Sequence, residues 1–183
     1  GEEQECQDGI DVYFSTFAKS MASIGAFLAG DKDIIDYLKY NLRSQMFAKS
    51  LPMIQTVGAL KRLQLLRDNP SLKDKLWENV NALQNGLKEK GFNIGDTNTC
   101  VTPVYLEGSI PEAMVMVNDL RENYNIFLSI VVYPVIPKGI ILLRMIPTAS
   151  HTLEDINETL AAFEAIREKL VNGTYKKIAE ATT

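Results

Sequence analysis

The order of strand-like and helix-like segments after Gly95 restricts the fold of this chain more than any other feature. The predicted strands cover 101–106, 126–133 and 139–146, and the predicted helices cover 111–122 and 152–170. A strand–helix–strand–strand–helix order is typical of a small α+β unit with helices on one face of a few-stranded sheet. The last predicted helix begins at Thr152-Leu153-Glu154-Asp155, which resembles a capping box with Asp in place of Glu. We expect the tail after Gly173 to fray.

The residues before this unit contain two short strand patterns and several helical patterns. The predicted strands cover 10–15 and 26–29, and the predicted helices cover 33–40, a segment from Pro52 to Asp68, and a segment from Leu72 to a C-cap at Gly91. The last of these helices carries apolar residues at every third or fourth position. Because two isolated strands are marginally stable, we expect the first two to belong to a sheet whose other strands lie elsewhere.

The composition excludes several classes of protein. With 183 residues, the chain is about one domain long, and its 19 Lys and Arg against 23 Asp and Glu give a net charge of −4. That balance argues against a nucleic-acid-binding surface. No apolar run approaches the ~20 residues of a transmembrane helix, and two cysteines and one histidine are a poor supply for disulfides or a metal site. We expect a soluble, cytoplasmic protein without a metal ion.

A lysine next to a predicted strand is the first candidate for chemistry. Lys19 lies between small and hydroxylated residues in Ser15-Thr16-Phe17-Ala18-Lys19-Ser20, ahead of Gly25. A lysine whose pKa is lowered by desolvation or by a nearby cation forms a Schiff base with an aldehyde, and neighbouring hydroxyls and free backbone N–H groups can hold a phosphate. On these residues alone, a solvated surface lysine remains the commoner interpretation.

Four segments in order along the chain resemble the α-oxoamine synthases. The segments are 16–20 with 24–27, 43–52, 132–139, and 143–144 with 149–152. This family consists of pyridoxal-phosphate enzymes of fold type I and includes serine palmitoyltransferase, 2-amino-3-ketobutyrate CoA ligase and 8-amino-7-oxononanoate synthase. The resemblance implies an α/β chain that forms the C-terminal part of a fold-type-I transferase and ends in a small α+β domain.

The resemblance also implies roles for five residues. Lys19 matches the lysine that binds pyridoxal 5'-phosphate covalently and later moves the Cα proton of the bound amino acid. Thr16 matches a hydroxyl that bonds the cofactor phosphate. Phe47 and Ala48 match positions that reach the phosphate of the partner subunit's site, which implies a homodimer with shared active sites. Arg144 matches the arginine that binds the substrate carboxylate, a task that suits a planar bidentate donor.

Arg144, His151 and Ala48 can also be considered residue by residue. Arg144 follows the apolar run 140–143, and a buried arginine needs an anionic partner, which favours a functional role over a structural ion pair. His151 lies at a helix entrance, where we expect a structural contact rather than acid–base chemistry. Ala48 departs from the family that the chain resembles, in which a hydroxyl at this position would bond phosphate.

Part of the family's site is not found in this chain. In the family, the aspartate that pairs with the pyridine nitrogen, the histidine that stacks on the ring and the glycine-rich phosphate turn all lie upstream of the lysine. Only 18 residues precede Lys19. We therefore expect 1–60 to be the incomplete end of a large cofactor-binding domain, and 61–183 to be a long connecting helix with the small domain. The isolated chain is expected to be inactive.

The activity implied by the resemblance is a decarboxylating condensation. An amino acid (serine, glycine or alanine) would react with an acyl-CoA, with loss of CO2, to give an α-amino ketone. The motifs favour serine palmitoyltransferase, and with it sphingolipid biosynthesis, over 2-amino-3-ketobutyrate CoA ligase. Two alternatives stay open: a fold-type-I class II aminotransferase, and a non-catalytic α+β interaction domain in which Lys19 is simply exposed.

Overall fold

The structure, a computed structural model, describes residues 5–182 of the chain. The chain divides between Pro70 and Ser71 into two compact units. The boundary predicted after residue 60 falls inside a helix of the first unit, Met53–Asp68. The assignment of the two parts to a large cofactor-binding domain and a small domain stays a prediction.

The first unit is an antiparallel hairpin followed by three helices. Strands β1 (Val12–Thr16) and β2 (Ala26–Gly30) pair with Val12 opposite Gly30 and Thr16 opposite Ala26. A single 3-10 turn at Gln7–Gly9 precedes them. The helices are α1 (Lys32–Asn41), α2 (Arg43–Met46) and α3 (Met53–Asp68). The two predicted strands thus pair with each other, and the helices predicted at 33–40 and after Pro52 are confirmed.

Apolar side chains of the first unit are largely exposed. Among residues 5–70, only Ala59 is buried. On α3, the side chains of Ile54 and Leu60 are 79% and 62% exposed, although a helix with apolar residues on all sides is ordinarily covered on more than one face. The first unit therefore carries many exposed apolar side chains, which are candidates for contact with another surface.

The second unit contains a three-stranded antiparallel sheet and four helices. Its elements are α4 (Ser71–Glu89), β3 (Thr102–Leu106), α5 (Ile110–Tyr124), β4 (Ser129–Val131), β5 (Ile141–Met145), α6 (Leu153–Val171) and α7 (Thr174–Thr182). The strand order is β3-β5-β4. The predicted strand–helix–strand–strand–helix order is confirmed, and β4 is shorter than the predicted 126–133.

The core lies on one face of this sheet, against the helices. Side chains alternate along β5: Ile141, Leu143 and Met145 are buried, whereas Arg144 is exposed on the opposite face. The core cluster combines the buried strand residues with apolar residues of the helices, among them Leu83, Leu87, Met116, Leu120, Phe163 and Ile166. The helices therefore cover one face, as predicted, and the other face carries Arg144.

The sequence predicts the start of α6 correctly and the segment that follows α6 incorrectly. Oγ1 of Thr152 accepts a hydrogen bond from the N–H of Asp155 at 3.1 Å, and the Asp155 carboxylate accepts from the N–H of Thr152 at 2.7 Å, so the predicted capping box is confirmed. The N–H and the hydroxyl of Thr152 both donate to the Asp155 carboxylate and lower the pKa of that carboxyl. The frayed tail predicted after Gly173 is wrong: α7 buries Tyr175 and Ala179, because tertiary contacts stabilise a helix too short to be stable alone.

Neither a membrane span nor a metal cluster is found between residues 5 and 182. No helix in that part of the chain is both long enough and apolar enough to cross a bilayer. Likewise, no group of three or more His, Cys, Asp and Glu side chains there could hold a metal ion.

Candidate active site

The loop that joins β1 to β2 carries the lysine at its tip. Hydrogen bonds close the base of this loop, from the N–H of Phe17 to the carbonyl of Gly25 and from the N–H of Ser23 to the carbonyl of Phe17, both at 2.9 Å. Gly25 has a φ of +94°, a conformation that favours glycine. We call the segment 17–25 the lysine loop.

The side chain of Lys19 is exposed and has no partner. Among the described residues, no hydrogen bond or ion pair involves its ammonium group. The preceding strand is exposed as well, since Val12 and Phe14 are 38% and 64% exposed. No ion pair or hydrogen bond within the described residues would therefore have to break before this group bonds a carbonyl compound.

The hydroxyl of Thr16 belongs to the base of the lysine loop. It donates a hydrogen bond to the carbonyl of Gly25 and accepts one from the N–H of Ala18, each at 3.2 Å. A phosphate oxygen needs a donor, and a threonine hydroxyl has a single proton. The predicted contact between Thr16 and phosphate would therefore require this proton to leave the carbonyl of Gly25.

Two contacts connect the lysine loop to the start of α3. The hydroxyl of Ser23 donates to Oε1 of Gln55 at 2.6 Å. The side chain of Leu51 packs over Gly25, where an added Cβ would lie 2.8 Å from Cδ1 of Leu51. These contacts place the lysine loop against the segment that follows Phe47 and Ala48.

Phe47 and Ala48 lie exposed at the end of α2. The ring of Phe47 is 75% exposed and lies 5.4 Å from the guanidinium carbon of Arg43. No hydrogen bond, ion pair or ring contact within the described residues joins Phe47 or Ala48 to Lys19. The side chains of Phe47 and Ala48 are therefore accessible at the surface of the first unit.

Arg144 belongs to the second unit and differs from its predicted environment. The sequence suggested a buried arginine, but the side chain is exposed because the alternation along β5 directs it away from the core. Its Nε donates a hydrogen bond to Oγ of Ser129 on β4 at 3.3 Å. Arg144 forms no ion pair with any described residue, so its charge is available to an anion.

The sequence matches a family profile over most of its length. Residues 3–163 match the family described as aminotransferase class I and II. The chain belongs to this family.

Two relatives of the chain support its resemblance to the α-oxoamine synthases. The chain is 74% identical over 97% of its length to a cysteate-C-fatty acyltransferase of Capnocytophaga ochracea, and 35% identical over 84% to a serine palmitoyltransferase of Sphingobacterium spiritivorum. It covers 42% and 38% of these two proteins, so it spans about two fifths of their length.

A solved relative confirms the fold. A serine palmitoyltransferase from S. paucimobilis, solved with pyridoxal phosphate and myriocin bound, superposes with a TM-score of 0.83 at 28% identity. The match covers 90% of this chain and 41% of that one. The fold of this family member is therefore that of part of a fold-type-I transferase, as the sequence predicted.

The lysine loop of this aminotransferase class I and II chain fits the predicted cofactor. An unpaired amine at Lys19 is the group that condenses with an aldehyde. The consecutive N–H groups of Lys19, Ser20 and Met21 have no hydrogen-bond partner among the described residues, and such groups bind phosphate oxygens. Amine and amide donors thus occur together at the tip of one loop.

Sequence reasoning missed two polar residues that the structure connects to the predicted site. Ser129 contacts Arg144, and Gln55 contacts the lysine loop. A single polar residue inside the apolar run 126–132 could have indicated Ser129, whereas nothing in the local sequence indicates Gln55. His151 makes the structural contact expected of it: its Nδ1 accepts from the N–H of Thr148 at 3.0 Å.

Proposed function

We propose that the intact protein is a pyridoxal-phosphate-dependent acyltransferase that joins an amino acid to a fatty acyl-CoA. In this reaction a bond forms between Cα of the amino acid and the acyl carbon, the thioester C–S bond breaks, and the carboxyl group leaves as CO2. The products are an α-amino ketone, CO2 and free CoA. The observation that carries the proposal is that the unpaired amine of Lys19 lies on the same loop tip as the unpartnered N–H groups of Lys19, Ser20 and Met21.

Cysteate is the amino acid that we place first. The relative at 74% identity is named for cysteate and a fatty acyl group, and the one at 35% identity is named for serine and palmitate. Cysteate lies outside the set of serine, glycine and alanine that the sequence suggested. If serine is the substrate instead, the product would serve sphingolipid biosynthesis.

Lys19 and Thr16 of the first unit and Arg144 of the second unit would each have a separate role in this reaction. Bound pyridoxal phosphate withdraws electrons from Cα of an attached amino acid, which makes the Cα proton removable. Lys19 would hold the cofactor through its amine and then carry the Cα proton. The free N–H groups of the lysine loop, with Thr16, would bind the phosphate, and the guanidinium of Arg144 would bind the substrate carboxylate.

We further propose a cytoplasmic homodimer in which Phe47 and Ala48 reach the partner's cofactor phosphate. The exposure of the Phe47 ring supports this assignment. Residues 1–60 would belong to the large cofactor-binding domain, and residues 61–183 would form a connecting helix and the small domain.

The cofactor assignment is tested with purified intact protein and added pyridoxal phosphate. We expect a visible absorption band from the lysine-bound cofactor in the wild type, its loss in Lys19→Ala, and its retention in Lys61→Ala, which removes another exposed lysine of the first unit. A band that survives Lys19→Ala would show that the cofactor is bound elsewhere or not covalently, and absence of any band would favour a non-catalytic domain.

The reaction type is tested by incubating the intact protein with acyl-CoA and one amino acid at a time. We expect release of free CoA with cysteate or serine and palmitoyl-CoA, and none without the amino acid. Amino transfer to a 2-oxo acid, without dependence on acyl-CoA, would replace the proposal with an ordinary aminotransferase.

A further inference from the structure

The exposed face of the three-stranded sheet carries Arg144 and Ser129 side by side. Ser129 of β4 and Pro103 of β3 are the cross-strand partners of Arg144 on β5, so these residues form one row on one face of the sheet. The side chain of proline has no polar atom. Ser129 is therefore the polar neighbour of Arg144 within this row.

The guanidinium of Arg144 is held at one edge only. Its Nε donates to Oγ of Ser129 at 3.3 Å. The two terminal nitrogens have no partner among residues 5–182, since no other hydrogen bond and no ion pair of Arg144 occurs there. A carboxylate binds such a pair of terminal nitrogens through two parallel N–H···O bonds.

We propose that Ser129 is a positioning residue that orients the guanidinium of Arg144 for the acidic group of the substrate. This inference rests on the proposed function, in which Arg144 binds that group. An exposed arginine samples many rotamers and loses this freedom when a ligand binds. A hydrogen bond that already restrains Nε in the free protein reduces that cost and directs the two terminal nitrogens towards the ligand.

Serine suits this position because its hydroxyl oxygen accepts the bond from Nε. Oγ accepts the bond from Nε with one lone pair, and its own proton cannot be donated to a guanidinium, which has no acceptor. No described residue accepts that proton. The bond therefore forms with Arg144 as the donor, and the two terminal nitrogens stay free for an anion.

Three substitutions of Ser129 separate the hydroxyl from the shape of the side chain. Ser129→Thr keeps an acceptor for Nε, Ser129→Val has the shape of threonine without the hydroxyl, and Ser129→Ala removes the group altogether. Threonine and valine are both β-branched and both favour strands. Ser129→Thr and Ser129→Val are therefore the matched pair on which each comparison depends.

The first experiment measures water exchange of the arginine Nε–H protons in the 183-residue chain by ¹⁵N NMR. The signal that disappears in Arg144→Lys identifies Arg144. We expect that Nε–H to exchange about fivefold faster in Ser129→Val and Ser129→Ala than in the wild type and Ser129→Thr, the factor expected for loss of one hydrogen bond. Equal exchange rates in the threonine and valine variants would overturn the proposed contact.

The second experiment measures steady-state kinetics of the intact protein. We expect the KM for the amino acid to rise about fivefold in Ser129→Val relative to Ser129→Thr, with the KM for acyl-CoA unchanged. In the background of Arg144→Lys the same substitution should have no further effect, because lysine has no Nε–H to position. Additive effects of the two substitutions would overturn the positioning role.

The two experiments distinguish failure of this inference from failure of the proposed function. If the wild type has no acyltransferase activity, or Arg144→Lys leaves the amino-acid KM unchanged, the proposed role of Arg144 is wrong and the positioning role is wrong with it. If Arg144→Lys raises the amino-acid KM while Ser129→Val matches Ser129→Thr, only the inference about Ser129 is wrong.

Discussion

The hydroxyl of Tyr175 donates a hydrogen bond to Oδ2 of Asp119, 2.5 Å away, and thereby joins α7 to α5. The ammonium group of Lys169, on α6, donates to the same oxygen at 2.7 Å, and the amide of Asn123 donates to the other carboxylate oxygen at 2.7 Å. Three helices therefore meet at one carboxylate, which explains why the C-terminal segment is helical rather than frayed.

Removal of the Tyr175 hydroxyl should weaken the second unit. Tyr175 is only 3% exposed, and hydrogen bonds to charged groups contribute about 1.5–3 kcal/mol. We expect Tyr175→Phe to lower the free energy of unfolding of this unit by about that amount. Trp77, the single tryptophan of the chain, lies on α4, so its fluorescence during denaturation in urea reports on this unit.

The matched control for this substitution is Tyr133→Phe, because Tyr133 is 64% exposed and its hydroxyl has no hydrogen-bond partner among the described residues. We expect its effect to stay within about 0.5 kcal/mol. Equal effects of the two substitutions would mean that the bond between Tyr175 and Asp119 contributes nothing measurable.

The stability of the second unit should depend on pH through Asp119. Burial raises the pKa of its carboxyl, but the hydrogen bonds from Lys169, Tyr175 and Asn123 outweigh burial and bring the pKa below its ordinary value. A lowered folded-state pKa stabilises the protein above the unfolded value of about 4, and this stability is lost as the pH falls towards the folded value. We expect Asp119→Asn to flatten the loss of stability below about pH 5.

At alkaline pH, Tyr175 and Lys169 make the stability of the second unit fall as the pH rises. Burial, with the hydrogen bond to Asp119, raises the pKa of the Tyr175 hydroxyl, and the hydrogen bond to Asp119 raises that of Lys169. Their contribution is fully present below the unfolded values of about 10 and is lost as the pH rises through the folded values. Unfolding in urea at a series of pH values measures both limbs, and a flat wild-type profile from pH 3 to 6 would contradict the assignment.

Replacement of Gly25 by alanine should disturb the lysine loop. Its φ of +94° disfavours any side chain, and a Cβ would lie 2.8 Å from Leu51. Strain of this kind costs about 1–3 kcal/mol. We expect trypsin to cleave after Lys19 at least about fivefold faster in Gly25→Ala, because the loop would open more often.

Gly9→Ala is the matched control for the loop, because an added Cβ there meets nothing within 4 Å. The double variant Gly25→Ala/Leu51→Ala should recover only part of the protection, since it relieves the contact and not the backbone strain. Unchanged cleavage in Gly25→Ala would show that glycine is not required at this turn.

The exposed apolar residues of α3 should cause the 183-residue chain to self-associate. Ile54 and Leu60 are 79% and 62% exposed, and apolar surface of this extent favours association. We expect Ile54→Lys and Leu60→Lys to shift the chain towards monomer in sedimentation velocity, whereas Gln64→Lys, which adds the same charge at an exposed polar position of the helix, should not. A wild type that is monomeric at the same concentration would contradict this prediction.

Local patterns predicted the fold where a local interaction decides it. The cap of α6 forms between Thr152 and Asp155, three residues apart, and Gly91 has the positive φ of a helix C-cap as predicted. The strand predicted from residue 126 begins only at Ser129 because the end of α5 uses the residues before it: the N–H of Ile126 donates to the carbonyl of Leu120.

Long-range contacts explain what the sequence could not predict. Tyr175 and Asp119 are 56 residues apart, and no local pattern indicates that they meet. Lys19 and Arg144 were predicted as site residues because each lies in a recognisable motif, whereas the position of Arg144 on the exposed face depends on which side of β5 the helices cover. Local periodicity likewise predicted the helix α3 but not the exposure of its leucines, which depends on neighbouring elements.

Asn79 constrains the length of the turn that follows β5. Its side-chain amide, fully buried on α4, donates to the carbonyls of Thr148 and His151 at 3.0 and 2.8 Å. Gain or loss of one residue between Met145 and Thr148, with this anchor retained, would slide β5 by one position and turn Arg144 inward. Homologous enzymes that rely on this arginine should therefore tolerate changes of residue type in the turn far better than changes in its number of residues.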